Sequence, residues 1–425
     1  MLLVKTIVEN PEFVIERLAI KNRDARPAVE KIVALDKEKR EIQKQLEDNK
    51  AEQNGLAKKI GELFKNGDKA GAEAAKGRST ELKTIIKEQE DKFQALDKEL
   101  FDTLVLLPNL PYELVAPGKS AEDNVEIRRG GENPVYEGFQ PLCHWDLAKK
   151  YDIIDFETGV KITGAGFPLY KGKGAKLQRA LINFFLDEAE KSGYLEVEPP
   201  VLVNEASGFG TGQLPDKEGQ MYHCEVDNLY LVPTAEVPVT NIYRDEILDV
   251  KQLPIKHCAY TPCFRREAGS YGSDVKGLNR LHEFDKVELV QIVHPDKSYN
   301  ALDMMVLHVE GLLKKLKLPY RIIRLCGGDM SFTSAMTYDF EVWCAAQGKW
   351  LEVSSVSNFE SFQANRLKLR FREEGDKKSK LCHTLNGSGL ALPRIVASIL
   401  ENCQKADKIE IPEVLRQYTH FDTIE

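Results

Sequence analysis

Residues 259–293 read AYTPCFRREAGSYGSDVKGLNRLHEFDKVELVQIV, and the fold prediction starts from this stretch. It predicts a strand over Ala259–Arg265, a glycine-rich loop over Ala268–Gly277 and a second strand over Glu283–Val293. Two strands joined by a loop rather than by a helix are typical of an antiparallel sheet. The stretch therefore favours an α+β fold built on an antiparallel sheet with helices around it.

The surrounding sequence from residue 111 to residue 425 supports the same fold class. Amphipathic helices are predicted at Lys176–Lys191 and at about Leu390–Cys403. No GxGxxG motif follows a strand and no GxxxxGK[ST] loop is present, which argues against a doubly wound nucleotide-binding fold. Further strands are predicted at Tyr194–Val197, Leu229–Val232, Tyr320–Leu325, Thr337–Val342 and Trp350–Ser354.

Residues 1–110 follow a different pattern, which is helical and highly charged and contains neither cysteine nor tryptophan. Asn10-Pro11 indicates the start of a short helix. Seam positions then recur three and four residues apart over Ile32–Leu63 and Ala72–Leu100, separated by a turn at Asn66-Gly67-Asp68. Two such seams predict an antiparallel coiled-coil hairpin over about residues 28–105, roughly 50 Å long at 1.5 Å per residue.

We call this hairpin the arm. Its sequence pattern does not show what the arm binds. Val29–Leu100 holds sixteen Lys+Arg and sixteen Asp+Glu, so its charge is balanced. A dimerisation or spacer coiled coil is therefore one interpretation. Contact with a nucleic acid is the other, because the tip carries Lys58, Lys59, Lys65 and Lys69, which could meet phosphates.

Composition narrows the class of protein. The chain has 425 residues, 42% hydrophobic and 30% charged, with a formal net charge of −8. There is no run of eighteen apolar residues and no signal-peptide pattern at the start, so we expect a cytoplasmic protein with no membrane contact. The eight cysteines are expected to be reduced. Cys258 and Cys263 have no second pair at finger-like spacing, so no zinc is expected.

Three segments could carry chemistry. Phe264-Arg265-Arg266-Glu267 places an arginine at the end of a strand, where it could hold a phosphate, although a surface ion pair explains the same residues. Asn386–Arg394 (NGSGLALPR) is a glycine-rich turn into a helix and could form a second phosphate clamp. Gly193–Pro200 (GYLEVEPP) is a helix–strand junction. Taken singly, the second and third segments are also explained as ordinary turns.

Taken in chain order, the three segments resemble motif 1 (193–200), motif 2 (264–288) and motif 3 (386–394) of the class II aminoacyl-tRNA synthetases. Pro233-Thr234-Ala235-Glu236 and Glu352–Asn358 (EVSSVSN) narrow the resemblance to the seryl-tRNA synthetase family. It covers essentially the whole chain, including the arm. It implies a tRNA-binding domain over residues 1–110 and a catalytic domain over residues 111–425.

The resemblance also implies an ATP site. Arg265 is expected to hold the α-phosphate and the serine carboxylate, Arg394 the γ-phosphate, and Glu267 the adenine end. Phe284 is expected to stack on adenine, and Leu281 to line the site through its backbone. Glu352 and Ser355 are expected to hold Mg²⁺ with ATP. The other implied ATP contacts are Arg266, Arg280, Val353 and Ser354.

For the amino acid, the ammonium group of serine needs carboxylates or carbonyls, and the matched candidates are Glu236 and Glu288 with Thr234 and Ala235. Asn386, Ser388 and Glu288 match positions near the serine hydroxyl. A site that pairs this hydroxyl rejects alanine strongly, because the wrong substrate leaves a buried polar group unpaired.

The implied reaction joins serine to ATP as seryl-adenylate and then transfers serine to tRNA(Ser), or to tRNA(Sec) where that tRNA is present. The implied assembly is a homodimer with Pro200 at its interface, and the arm is expected to contact tRNA. His282 and His383 are expected to be structural. Ser361 and Asn365 depart from the family pattern, so no role is given to them. The alternatives are a catalytically dead tRNA-binding relative and an amino acid:carrier-protein ligase.

Overall fold

The computed structural model describes residues 1–216, 219–267 and 276–425. The chain forms two compact units. The first consists of Met1–Ala19 with Arg23–Leu110, and the second of Ile20–Asn22 with Pro111–Glu425.

The first unit is helical. Two short helices, α1 (Val4–Glu9) and α2 (Pro11–Ile20), precede the long helices α3 (Arg26–Lys65) and α4 (Lys69–Leu104). Asp68 caps the N-terminus of α4, since its side chain accepts a hydrogen bond from the Gly71 amide. The helices α3 and α4 pair as a hairpin, which confirms the arm predicted from the two seams.

The seam of the arm buries apolar residues along much of its length. Ile32, Leu35 and Ile42 of α3 are buried, as are Leu96 and Leu100 of α4. Nearer the tip, Ala72, Ala75, Leu82 and Ile86 of α4 are also buried, whereas the seam positions of α3 beyond Leu46 are only partly buried. Charged and hydrogen-bonded pairs also join the two helices, from the base outward: Lys31–Glu99 (2.7 Å), Glu38–Lys92 (2.7 Å), Asn49–Gln89 (2.9 Å), Lys50–Glu90 (2.6 Å) and Glu52–Arg78 (2.9 Å).

The second unit contains the remaining elements. Its helices are α5 (His144–Lys150), α6 (Phe156–Ile162), α7 (Gly172–Lys191), α8 (Glu205–Thr211), α9 (Glu236–Asn241), α10 (Ser298–Leu316), α11 (Phe362–Leu367), α12 (Leu392–Asn402) and α13 (Arg416–Thr419). Its strands are β1 (Val125–Gly130), β2 (Ile154–Asp155), β3 (Leu169–Tyr170), β4 (Leu195–Glu196), β5 (Leu202–Asn204), β6 (His223–Cys224), β7 (Leu229–Leu231), β8 (Ile247–Asp249), β9 (Ile255–Phe264), β10 (Glu283–Val293), β11 (Tyr320–Arg324), β12 (Met336–Cys344), β13 (Lys349–Glu360), β14 (Arg370–Arg372), β15 (Ser379–Leu381), β16 (His383–Ala391), β17 (Ile409–Glu410) and β18 (Thr423–Ile424).

Eight of these strands form the main sheet in the order β1-β11-β12-β13-β16-β10-β9-β4. All neighbours are antiparallel except β4, which pairs with β9 in parallel. The largest apolar cluster of the unit packs the sheet against α7, α10 and α12. The predicted α+β fold on an antiparallel sheet with flanking helices is confirmed.

The sequence prediction missed part of this sheet. β1 was not predicted, and the predicted strand over Tyr194–Val197 is only two residues long. β16 is a central strand, although the sequence suggested only an approach to a turn, and the helix starts at Leu392 rather than at Leu390. The strand was missed because it is rich in small residues. Close packing requires them: a Cβ added at Gly387 would lie only 3.0 Å from Val356 Cγ2. Such a strand has no apolar–polar alternation to read.

All eight cysteines lie in the described residues and carry free thiols, five of them buried. Within the described ranges, no helix combines the length and the apolar character that a membrane span requires.

Candidate active site

One face of the main sheet carries several of the predicted site residues. Phe284, Lys286, Glu288 and Val290 alternate along β10 and share this face. Glu288 lies opposite Ser388 of β16, and Val290 lies opposite Asn386, which is itself opposite Ser357 of β13. Directly opposed residues project to the same side of a sheet. Neighbouring strands therefore bring the motif 2 and motif 3 residues together.

A β-bulge brings the predicted metal ligands to the same face. The register between β12 and β13 pairs Asp339 with Ser355 and Glu341 with Glu352, so Val353 is an extra residue on β13. Without this bulge, Glu352 and Ser355 would point to opposite sides, because they are three residues apart. Instead, the Ser355 hydroxyl donates to Glu352 Oε1 at 3.3 Å.

A cleft of about 490 Å³ opens beside these residues, with Glu352, Asp339 and Glu341 among its walls. Asp339 is only 7% exposed, and its Oδ1 has no hydrogen-bond partner among the described residues. Burial, followed by the neighbouring Glu352 carboxylate, raises the pKa of the Asp339 carboxyl well above its usual value. A buried acceptor without a partner next to a carboxylate and a hydroxyl is a suitable environment for a hard cation.

The strand end of motif 2 holds Arg265 and Phe284 together. The Arg265 guanidinium lies over the Phe284 ring, 5.2 Å from its centroid, and its Nε donates to the Pro233 carbonyl at 3.4 Å. Glu267 instead pairs with Arg280, whose Nε donates to Glu267 Oε2 at 2.5 Å. Sequence reasoning gave Glu267 and Arg280 separate contacts with ATP. In the structure they form an ion pair with each other.

Arg394 is held by two backbone carbonyls. Its Nη1 donates to the Glu352 carbonyl at 2.6 Å, and its Nε donates to the Asn279 carbonyl at 2.9 Å. These contacts join the first turn of α12 both to β13, which carries the predicted metal ligands, and to the segment that leads into β10. The predicted γ-phosphate ligand is thus fixed beside the predicted metal ligands.

The predicted serine end is a buried polar cluster. The Thr234 hydroxyl donates to Glu288 Oε2 at 2.9 Å, and the same hydroxyl oxygen accepts the Glu236 amide at 3.2 Å. Glu288 also forms a salt bridge with Lys286, and both side chains are at most 7% exposed. Buried carboxylates are costly unless they are paired, so these contacts keep Glu288 fixed in place.

Glu236 has a different environment. Its Oε1 accepts a hydrogen bond from Gln363 Nε2 at 2.6 Å, while Gln363 Oε1 accepts from the Thr384 hydroxyl at 2.7 Å. Burial, together with the nearby Glu288 carboxylate, raises the pKa of Glu236 to about 7. Thr234, Ala235, Glu236, Glu288 and Ser388 are all at most 7% exposed.

Of the remaining predicted ATP residues, Leu281, Val353 and Ser354 have side chains that are occupied elsewhere, whereas Arg266 is exposed. Leu281 and Val353 have side chains buried in the core, and the Ser354 hydroxyl donates to the Ser388 carbonyl at 2.7 Å. Contacts of these three residues with ATP would come from main-chain atoms. Arg266 is exposed, and its amide donates to the Gln220 carbonyl at 2.8 Å.

Several other residues named from the sequence have defined surroundings. His282 Nδ1 lies 3.1 Å from the Arg265 carbonyl, and His383 Nδ1 lies 2.9 Å from the Ser298 hydroxyl. Ser361 immediately precedes α11, and its carbonyl accepts the amide of Asn365. Pro200 is exposed. Residues 268–275 of the predicted loop Ala268–Gly277 lie outside the described residues.

Sequence reasoning missed Lys286, Gln363 and Asp339. Lys286 was within reach, because it lies two residues before Glu288 on the same strand and therefore on the same face. Gln363 lies in the Phe362-Gln363-Ala364 run that matches the family pattern. Asp339 had no sequence signal, since its importance depends on the register of β12 against β13.

Comparison with known families gives two matches. Residues 1–111 match the family model for the seryl-tRNA synthetase N-terminal domain. Residues 222–403 match the family model for the tRNA synthetase class II core domain of the G, H, P, S and T enzymes. The sheet and its site therefore have the class II aminoacyl-tRNA synthetase fold.

Individual relatives narrow this class. A serine–tRNA ligase of Salinibacter ruber is 49% identical over 100% of this chain and 99% of its own length. The seryl-tRNA synthetase of Pyrococcus horikoshii, solved in complex with ATP, is 35% identical with a TM-score of 0.94, over 100% of this chain and 99% of that chain. The cytoplasmic serine–tRNA ligase of Naegleria fowleri, solved with AMP, is 26% identical with a TM-score of 0.90 over the same shares. The chain belongs to the seryl-tRNA synthetase family.

Proposed function

We propose that this enzyme forms seryl-adenylate on the described face of the main sheet and then transfers the seryl group to tRNA(Ser). The observation that carries this proposal is the buried pair of carboxylates, Glu236 and Glu288, close to Arg265. Carboxylates fit the ammonium group of an amino acid, and a guanidinium fits the carboxylate and phosphate that must react.

ATP is proposed to lie across motifs 2 and 3. Phe284 offers a ring face for the adenine, and Glu267, released from Arg280, offers an acceptor for the adenine amine. Arg265 and Arg394 would contact the α- and γ-phosphates, and Arg266 and Arg280 are further candidate phosphate contacts. The Pyrococcus relative with ATP and the Naegleria relative with AMP support a nucleotide substrate.

Serine is proposed to bind in the cluster around Thr234. Glu236 and Glu288 would hold its ammonium group, with the Thr234-Ala235 backbone completing the pocket. Glu288, Ser388 and Asn386 lie on neighbouring strands of one face and are the candidates to pair the serine hydroxyl. Alanine lacks the hydroxyl that these groups are proposed to pair, so we expect it to be rejected strongly.

Mg²⁺ is proposed to accompany ATP at Glu352 and Ser355. Their carboxylate and hydroxyl oxygens are the hard ligands that Mg²⁺ prefers, and the unpartnered Oδ1 of Asp339 is consistent with a cation nearby. Mg²⁺ usually takes one or two carboxylates and completes its shell with substrate phosphates and water. When bound, it would offset the negative charge of the triphosphate.

The chemistry needs positioning more than a nucleophilic side chain. The serine carboxylate attacks the α-phosphorus of ATP, the bond to the β-phosphate oxygen breaks, and pyrophosphate leaves. A ribose hydroxyl of the terminal adenosine of tRNA then attacks the seryl carbonyl and AMP leaves. Arg265, fixed over Phe284, and Arg394, fixed by two carbonyls, are pre-oriented donors for the charge that develops.

The remaining assignments follow family membership. The arm is proposed to contact tRNA(Ser), and tRNA(Sec) where it is present, mainly through the backbone shape of the RNA. A homodimer with Pro200 at its interface and a cytoplasmic location are proposed from the sequence motifs.

The pH dependence of kcat/KM for serine tests the proposed role of Glu236. Because its pKa is raised to about 7, Glu236 is largely protonated below that pH and must lose the proton to bind an ammonium group. We expect kcat/KM for serine to fall up to about tenfold per pH unit below pH 7 and to level off above it. Between its usual pKa of 4.5 and about 7, the Glu236 carboxyl is ionised in the unfolded chain but still protonated in the folded enzyme. The free energy of unfolding of the ligand-free enzyme therefore falls as pH rises through this range.

The measurement is pyrophosphate exchange at subsaturating serine between about pH 5.5 and 8.5. Glu236→Gln should give a lower kcat/KM without this inflection. An unchanged inflection in Glu236→Gln would show that another group titrates.

The proposed substrate is tested by pyrophosphate exchange with each standard amino acid. We expect exchange with serine and at least about 100-fold less with alanine or glycine at equal concentration, because the buried acceptors require a hydroxyl. Exchange that is equal for alanine and serine would contradict the assignment of Glu288, Ser388 and Asn386. Charging of tRNA(Ser), measured in parallel, excludes the carrier-protein alternative if it is positive.

A further inference from the structure

A fully buried histidine outside the three motifs contacts the segment that enters β10. His144, at the start of α5, has no exposed surface. Its Nε2 lies 2.9 Å from the Leu278 amide nitrogen, and its Nδ1 lies 2.8 Å from Glu401 Oε1. A backbone amide can only donate, so Nε2 is the acceptor and the proton of the neutral ring is on Nδ1, where it donates to Glu401.

Glu401 links this histidine to a second side chain. The Glu401 carboxylate is buried on α12, and it also accepts the His144 amide at 3.0 Å. Gln347, in the turn between β12 and β13, donates to Glu401 Oε1 at 2.8 Å through its Nε2. The Oε1 of the same Gln347 accepts a hydrogen bond from Asn279 Nδ2 at 2.9 Å. The Glu401 carboxylate therefore binds both His144 and Gln347, and these two side chains contact the adjacent residues Leu278 and Asn279.

The packing at this point requires glycine at position 277. Gly277 has φ +65°, and a Cβ added there would lie 2.3 Å from His144 Nε2. Lys276 places its ammonium group over the Trp145 ring, 4.2 Å from the centroid. A backbone that needs a positive φ and touches an imidazole directly is specific for glycine. Residues 276–279 are thus seated against the first turn of α5.

The held segment is the one that supports Arg394. The Asn279 carbonyl accepts the Arg394 Nε hydrogen bond at 2.9 Å. Arg394 and Glu401 are seven residues apart on α12, which is two helical turns, so they lie on the same side of the helix. One side of α12 therefore contacts the segment twice, directly through Arg394 and indirectly through Glu401.

We propose that His144 and Gln347 are positioning residues for ATP binding, acting through the Leu278 amide and the Asn279 side chain to fix the carbonyl that orients Arg394. This inference rests on the proposed role of Arg394 as a triphosphate ligand. It predicts that disturbing the network weakens ATP binding selectively. The serine cluster around Thr234 uses none of these contacts, so serine binding is not affected.

Two substitutions of His144 separate its two hydrogen bonds. In His144→Asn the side-chain amide nitrogen replaces Nδ1 and keeps the bond to Glu401, while the Leu278 amide loses its acceptor. In His144→Gln the side-chain oxygen reaches the position of Nε2 and keeps that acceptor. An unpaired buried amide is costly, so we expect His144→Asn to raise KM for ATP by about tenfold, with KM for serine changed less than about twofold. His144→Gln should restore KM for ATP most of the way to the wild-type value.

Gln347→Ala provides an independent variant, because this side chain is partly exposed in a turn and its loss spares the core. We expect it also to raise KM for ATP selectively, and it decides the question if His144→Asn does not fold. Unchanged KM for ATP in the folded variants, or equal increases for ATP and serine, would overturn the inference even if Tm falls. Arg394→Ala is measured in parallel. If it retains full exchange activity, the proposed role of Arg394 fails, whereas an inactive Arg394→Ala beside normal His144→Asn and Gln347→Ala refutes only the positioning role.

Discussion

Replacement of Arg265 by alanine is expected to lower serine-dependent pyrophosphate exchange by about 1,000-fold. The guanidinium is fixed over Phe284 and hydrogen-bonded to the Pro233 carbonyl, so it is oriented before the substrates arrive. A pre-oriented donor stabilises the charge of the transition state without reorganisation, and alanine cannot replace it. Exchange measured at saturating ATP and serine reports this loss directly.

Two controls make this result specific. Arg265→Lys keeps the positive charge but loses the planar, two-pronged donor, so we expect an intermediate rate. Arg370→Ala removes an exposed arginine from β14 in the small sheet and should leave exchange unchanged. Circular dichroism and Tm establish that each variant is folded. Exchange by Arg265→Ala within a factor of about ten of wild type would mean that another residue holds the α-phosphate.

Shortening the arm is expected to separate the two steps of the reaction. Replacing residues 51–88 with a short Asn-Gly turn leaves the Asn49–Gln89 and Lys50–Glu90 pairs and the apolar base of the hairpin in place. We expect unchanged serine-dependent pyrophosphate exchange, because the site residues all lie in the second unit. Aminoacylation of tRNA(Ser) should fall by about 100-fold or more, since phosphate contacts supply much of the affinity for RNA.

A matched control tests whether charge at the tip carries this effect. The control replaces four lysines of the tip by glutamine together: Lys58, Lys59, Lys65 and Lys69. We expect weaker aminoacylation of tRNA(Ser) with a smaller dependence on salt, and unchanged pyrophosphate exchange. Full charging by the shortened enzyme would instead assign the arm a spacer or dimerisation role. Loss of both exchange and charging would show that the arm is needed for folding, and the separation of steps proposed here would be wrong.

Local pattern was enough to predict the arm. Its seams repeat at helical spacing on both sides of Asn66-Gly67-Asp68, and the structure contains the paired helices α3 and α4 there. The strands of motif 2 were also predictable, because β9 and β10 are long and bounded by a glycine-rich loop. In both cases the information lies in the periodicity of each element and in the turn or loop that joins it to the next, and sequence patterns report such features well.

The candidate site was only partly predictable. Arg265, Glu267, Glu352 and Arg394 came from motifs, whereas the pairing of Glu267 with Arg280 did not, because nothing in the sequence shows the two facing each other. Lys286 and Gln363 were not predicted, although Lys286 lies in motif 2 and Gln363 only five residues after Asn358. Their importance appears only when Glu288 and Glu236 are seen to be buried and in need of partners.

The sequence by itself determined the family, the antiparallel α+β fold, the arm and the arginines and carboxylates of the motifs. Tertiary structure alone decided how these residues meet. The bulge at Val353 turns Glu352 to the face of Ser355, and burial sets the pKa of Glu236. Glu401 ties His144 and Gln347 to the support of Arg394. The physical reason is that strand register, desolvation and long-range hydrogen bonds depend on residues far apart in the chain, which no local pattern encodes.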